Sequence, residues 1–251
     1  VQAAEDRVEG RAALLEVAVD HPRDVPGAVE GGADRLLLAD RTRDRTTGLA
    51  PEPATVAAVC RDAAVPVHVV LRLSDGWSTT GGELARLVGL ARDYLERGAA
   101  GLAFGFLDTD LEVAADVCAH LAAALPGVPW TFHEAFDAAL DPRRSWRRVR
   151  DLPGLAGVRS AGSPRGLAVG YDDLLALVEA DPDLAALLVT GAGLAGEHVP
   201  WLLRAGVTAY AVGPQVRPGG SPRAYVDAGL VRSWRLLLDR APGRATGRAP
   251  A

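Results

Sequence analysis

A chain of 251 residues, 49% hydrophobic and 24% charged, can bury one large core, and α/β barrels commonly use about 250 residues as a single domain. Its 32 acidic and 27 basic residues leave a net charge of −5, which argues against a broad nucleic-acid surface but leaves room for a local basic pocket. Cys60 and Cys118 make no disulfide framework, no apolar run reaches the roughly 18 residues of a membrane span, and the first residues lack a signal-peptide core, so a reducing, cytoplasmic setting is expected.

In chain order, short apolar runs alternate with amphipathic stretches. Residues 13–19 (ALLEVAV) read as a strand, 22–30 as a short helix stopped by glycines, and 35–39 (RLLLA) as a second strand. A helix over 53–63 opens on a proline, whose missing amide costs little at that position. Strands are then expected at 67–71 and 101–106, with helices over 83–97 and 111–125. The fifth strand reads 130–133 (WTFH), followed by a helix over 145–152 and a strand at 157–160. The remaining alternation is a helix over 171–179, a strand at 186–190, a helix over 198–204, a strand at 209–212 and a last helix over 224–238.

Continuous apolar strands separated by helices suit a parallel sheet covered on both faces, and eight of them favour closure. The expected fold is therefore α/β, a TIM (β/α)8 barrel over residues 13–240, with flexible segments at 1–12 and 241–251. The glycines in GADR (32–35), GAAG (98–101) and GVTAY (206–210) each close a helix just before a strand, which makes them structural marks.

A site in such a barrel belongs at the C-terminal ends of the strands. Glu16 lies inside an apolar strand, where a carboxylate needs a partner; it serves either a pocket or an ion pair with Arg35 or Arg72. His68 and Arg72 share one face of the third strand, and Arg72 offers a rigid fork for an anion. His133, ending the fifth strand, is a candidate acid/base with Glu134 or Asp137 to orient it. Arg159 can complete an anion clamp with Arg72 or form a salt bridge, and Gly191 and Gly193 can present backbone amides to an anion or simply make a tight turn. Asp20, Asp40, Asp108 and Asp110 follow strands without ligand spacing, and Trp77 is a candidate lid residue. There is no nucleophile elbow, Walker loop, zinc-protease motif or CxxC pair.

The ordered segments LLEVAVD (14–20), GGADRLLLAD (31–40), TTGLAPE (46–52), VPVHVVLR (65–72), GLAFGFLDTD (101–110), WTFHEAFD (130–137), VRSAG (158–162) and VTGAGL (189–194) resemble the CutC copper-homeostasis protein family, and TFHEAFD is the most specific of them. The resemblance spans nearly the whole chain. It implies a TIM barrel, handling of Cu(I), and site residues at Glu16, His68, Arg72, His133 and Asp137. The chain departs from the family pattern where Val17, Ala18 and Val19 follow Glu16 in place of a cysteine, where Ala39 ends the second strand, and where Arg72 begins Arg-Leu-Ser-Asp-Gly. Copper(I) favours soft thiolate and thioether ligands, methionine is absent, and both cysteines fall on expected outer helices.

Three functions follow as expectations: a copper-homeostasis protein, a metal-independent barrel enzyme (lyase, isomerase or hydrolase) acting on a small anionic metabolite, or a non-catalytic small-molecule binder. The partner is a small anion or a copper ion, with no nucleic acid or membrane; homo-oligomerisation stays open.

Overall fold

Leu15, Val17 and Val19 point one way along the first strand and Glu16 and Ala18 the other, so this strand needs an apolar layer on one side and tolerates a polar one on the other. The computed structural model, which describes residues 13–42 and 48–240, resolves this by closing the sheet. The expected flexible segments 1–12 and 241–251 lie outside the described residues, as does part of TTGLAPE. Eight parallel strands form a barrel in sequence order: β1 (Leu14–Val19), β2 (Arg35–Leu38), β3 (Val67–Val70), β4 (Gly101–Phe104), β5 (Trp130–Phe132), β6 (Leu155–Arg159), β7 (Leu188–Thr190) and β8 (Ala209–Val212).

The surrounding helices are α1 (Val25–Gly31), α2 (Pro53–Asp62), α3 (Gly81–Glu96), α4 (Ala115–Ala123), α5 (Ala135–Ala138), α6 (Pro142–Val149), α7 (Leu167–Ala180), α8 (Pro182–Leu187), α9 (Val199–Arg204) and α10 (Ala228–Arg240). Their outer shell is one apolar cluster, in which Phe104 stacks on Trp130 with centroids 4.2 Å apart. Gly32, Gly98 and Gly206 adopt φ of 96°, 101° and 98°, the left-handed turn expected of the repeated glycines.

Several boundaries differ from expectation for local reasons. The helix expected over 111–125 begins at Ala115, because Asp108 Oδ1 accepts from the amides of Asp110 (2.9 Å) and Glu112 (3.0 Å) and closes a turn first. Residues 186 and 187 belong to α8, which Asp181 caps by accepting from the Asp183 and Leu184 amides, so β7 starts only at Leu188. Thr80 and Glu83 form a reciprocal cap that starts α3 at Gly81. The fifth strand stops at Phe132, and the one-turn α5 after it was not expected.

The pairing register sets the interior. Glu16 lies beside Arg35, His68 beside Leu37 and Gly101, and Thr131 beside Ala103 and Gly157. Because tilted strands climb as they go round a barrel, inward side chains from alternate strands share a level. The register thus stacks Arg35, Gly101, Gly157 and Ala209 lowest, then Glu16, His68, Thr131 and Val189, then Leu37, Ala103, Arg159 and Ala211, and then Ala18, Val70, His133 and Gly191. Packing agrees: a methyl group added at Gly101 would lie 2.6 Å from His68 Nε2, and one at Gly157 would lie 3.3 Å from Val189 and 3.4 Å from Thr131.

Candidate functional site

The polar side chains of the interior form a chain of ion pairs rising toward the mouth. Arg35 Nε donates to Glu16 Oε2 at 2.7 Å, Glu16 Oε1 pairs with Arg159 Nη1, and Arg159 Nε donates to Glu134 Oε1 at 2.8 Å. Glu16 is 2% exposed. Burial works to raise its pKa, but Arg35 and Arg159 outweigh that and hold it at about 2. Burial likewise opposes the charge of Glu134, and Arg159 again prevails, so its pKa is lowered. Of the alternatives for Glu16, pairing with Arg35 holds, and Arg159 joins it.

His68 lies on the same level as Glu16. Burial and the Arg35 charge push its pKa down to about 4, against the pull of Glu16. His133 lies two levels nearer the mouth and is 1% exposed. The Ala135 amide, the first residue of α5, donates to His133 Nδ1 at 3.1 Å. That lone pair is therefore used, and the ring proton of the neutral imidazole sits on Nε2. Burial holds the pKa down at about 4, with Glu134 opposing and Arg72 adding to the effect. Among the described residues Nε2 has no hydrogen-bond partner. Neither Glu16, Glu134 nor Asp137 hydrogen-bonds to this ring; Glu134 is the carboxylate whose charge acts on it most.

Trp77, from the loop after β3, tilts across His133 with ring centroids 5.2 Å apart, and the Arg72 guanidinium lies over the Trp77 ring, 4.3 Å from its centroid. The Arg72 fork is held by the carbonyls of Gly76 and Gly48, each at 3.3 Å, and of Asp75. Arg72, Trp77 and His133 thus form one cluster. Arg159 is engaged by Glu16 and Glu134, and its charge also acts on His133.

Asp137 sits on α5 and accepts from the Ser160 hydroxyl and from the Ala161 amide at 2.8 Å. Burial raises its pKa to about 6 despite those bonds. It ties the loop after β5 to the loop after β6. Gly191 packs against β8, where a methyl would lie 2.8 Å from the Ala211 carbonyl, and Gly193 has φ 84°. Asp20 is joined to Arg41 and, at 3.1 Å, to Arg217, which also grips the fully buried Asp24 through both carboxylate oxygens at 3.0 Å. The sequence reading missed Arg41, Arg217 and Asp24. Arg35, part of the GADR turn mark and one of the two partners expected for Glu16, pairs with it from the register position beside it.

The residues do not suit copper. Cys60 and Cys118 are free, lie on α2 and α4, and burial raises their thiols to about 11 and 12. Only a thiolate is a strong soft ligand, so both are poor donors. Among the described residues no group of three or more His, Cys, Asp or Glu side chains is arranged to hold a metal ion. No helix among them is long and apolar enough to cross a membrane.

Comparison with known proteins agrees with the barrel. A CutC protein from Streptococcus agalactiae, whose description proposes copper homeostasis, superposes with a TM-score of 0.69 at 18% identity, covering 80% of this chain and 98% of that one. The thiamine phosphate pyrophosphorylase of Pyrococcus furiosus gives 0.57 at 15%, covering 93% and 98%, which speaks only to fold. In sequence, CutC family proteins of Klebsiella pneumoniae (strain 342) and Citrobacter koseri are 30% and 31% identical over 196 residues, 78% of this chain and 77% of each relative. The CutC family model matches residues 13–213, and the chain belongs to the CutC family.

Proposed function

We propose that the protein binds a small anionic metabolite at the C-terminal mouth of its barrel without an obligatory metal, and that it works on the bound molecule as a proton-handling enzyme. The observation that carries this reading is the buried Nε2–H of His133, which among the described residues has no acceptor. A buried donor is costly to leave unmade, and a ligand oxygen would complete it. The neutral ring is suited to stabilising negative charge on that oxygen in the way of an oxyanion hole. Arg72, beside Trp77, supplies a cation in the same cluster. Asp137, with a pKa of about 6, is the carboxyl group that changes protonation closest to neutrality. Gly191 and Gly193 stand on the β7 loop at the same end. Lyase, isomerase and hydrolase chemistry all use these groups. The two free thiols support a cytoplasmic setting. The copper role proposed for the Streptococcus relative has no matching donor set among the described residues.

Titration calorimetry with inorganic phosphate and a series of two- to four-carbon carboxylates tests the reading. At least one of these anions binds, and His133→Ala weakens it about tenfold or more while the protein stays folded. Stoichiometric Cu(I) binding that depends on His133, with no anion bound, overturns it.

A further inference from the structure

His133 ends its strand at the mouth, yet it is 1% exposed, so a ligand that is to meet Nε2 has to displace something. Two aromatic rings lie against it. Phe132 is its own neighbour in β5 and part of the outer core, whereas Trp77 is carried by residues 73–80, between β3 and α3. Trp77 is half-buried, and Ser74, Asp75, Gly76, Ser78 and Thr80 around it are exposed.

Other loops at this end are tied to one another by side chains. Asp137 joins the loops after β5 and β6, Arg217 from the segment after β8 grips Asp20 and Asp24 after β1, and the Gln215 side-chain amide donates to the Leu194 carbonyl after β7 at 3.1 Å. The Trp77 segment is tied differently. At its start Arg72 holds the carbonyls of Asp75 and Gly76, a grip within one turn of chain, and at its end Thr80 and Glu83 cap α3. Among the described residues one backbone bond crosses from it to another loop, the Leu107 amide donating to the Trp77 carbonyl at 2.8 Å. A methyl group added at Gly81 or Gly82 would meet nothing within 4 Å, so the far end has room to turn. Segments with few cross-ties and exposed backbone open at the least cost in free energy.

We infer that residues 73–80 form a lid, seen here closed, with Trp77 as its plug over His133 and the Arg72 fork as its latch. The latch spends its donors on the carbonyls of Gly48, Asp75 and Gly76. A carboxylate or phosphate is a stronger acceptor for a guanidinium than a neutral carbonyl is. An anion arriving at the mouth therefore competes for the fork, frees the segment and reaches Nε2 as Trp77 swings away. The identity of what enters rests on the anion-binding reading; the opening itself does not.

Proton exchange in the full chain, read by NMR in a buffer free of phosphate and carboxylates, tests the lid. With isotope-labelled histidine, the covered Nε2–H of His133 gives an observable signal in the unaltered protein. Its exchange with water accelerates about tenfold or more in Trp77→Ala and is largely slowed again in Trp77→Phe. In the unaltered chain the Leu107 amide is freed each time the segment lifts. It exchanges about a hundredfold or more faster than the Leu102 amide of β4, which donates to the Pro129 carbonyl. An Nε2–H that exchanges as fast as a free imidazole in the unaltered protein, or no faster in Trp77→Ala, overturns the inference. A Leu107 amide as slow as that of Leu102 overturns it as well, and this comparison decides the matter even if Trp77→Ala does not fold. No anion is present, so the two failures are distinct: a failed lid shows in these exchange rates, and a failed anion site shows as flat calorimetry with the exchange rates as expected.

Discussion

On the outer face of the sheet Leu15, Val17, Leu36, Phe104 and Phe132 meet the helices in one apolar layer, whereas on the inner face of the same strands Glu16, Arg35, His68, Thr131 and Arg159 stand among alanines and glycines. The outer layer can be filled by any well-packed set of hydrophobic residues, and its contribution to stability is non-directional. The inner layer is directional. Each charge there has been desolvated and is tolerable only because its partner is in place. The outer face supplies a rigid frame, and the inner face uses that frame to keep Glu16 ionised and the histidines neutral to lower pH than in water.

The sharpest way to break the comparison is to remove one charge. Glu16→Ala leaves Arg35 without its buried carboxylate and Arg159 with Glu134 alone, with an expected loss of about 3–5 kcal/mol in urea denaturation at pH 7. Phe104→Ala, on the other face, is expected to cost a similar amount, about 3–5 kcal/mol, through lost burial and a cavity. The two part company in acid. The folded pKa of Glu16 is depressed to about 2 from an ordinary 4.5, so its stabilisation is present above 4.5 and fades as pH falls toward 2. At pH 3 the deficit of Glu16→Ala therefore shrinks, while that of Phe104→Ala does not; equal deficits at both pH values would remove the electrostatic account.

The histidines sharpen the same contrast at milder pH. Both His68 and His133 have folded pKa values of about 4 against an ordinary 6.5. The unfolded chain thus takes up protons first, and stability falls as pH drops from 6.5 to 4, by on the order of 3 kcal/mol for each histidine. Proton NMR titration of the ring signals checks the pKa values, and His133→Asn is expected to flatten the stability profile across that window. A His133 signal titrating near 6.5 would show the ring to be solvated and would end its role as a neutral donor.

The smallest effect belongs to the turns outside both layers. At Gly206, φ is 98° and an added methyl would meet only the Ala185 methyl at an ordinary 3.5 Å, so Gly206→Ala is limited to backbone strain of about 1–2 kcal/mol. No pH dependence accompanies it, which thermal melts at pH 7 and 5 can establish.

Much of this frame was legible one residue at a time. The strands at 35–39, 67–71 and 209–212 match β2, β3 and β8 within a residue, because each is an apolar run bounded by a glycine turn or a proline. The region around 181–190 was not, since Ala186 and Leu187 suit a strand as well as the end of α8, and only the Asp181 cap decides between them. The placement of His133 at the mouth followed from strand parity, but its tautomer did not: that depends on the chain turning into α5, so that the Ala135 amide faces back onto Nδ1.

The sequence by itself determined the alternation of strands and helices, the family, and which polar residues could not be ordinary core. Those follow from local periodicity and from residue types whose desolvation cost is the same wherever they are buried. Only the tertiary structure decided who pairs with whom: that Arg159 belongs to Glu16 and Glu134 while Arg72 stacks on Trp77, and that Arg35 reaches across to Glu16. The Arg159–Glu16 pair acts over a few ångströms between residues 143 positions apart, and the strand register that closes the barrel brings them together.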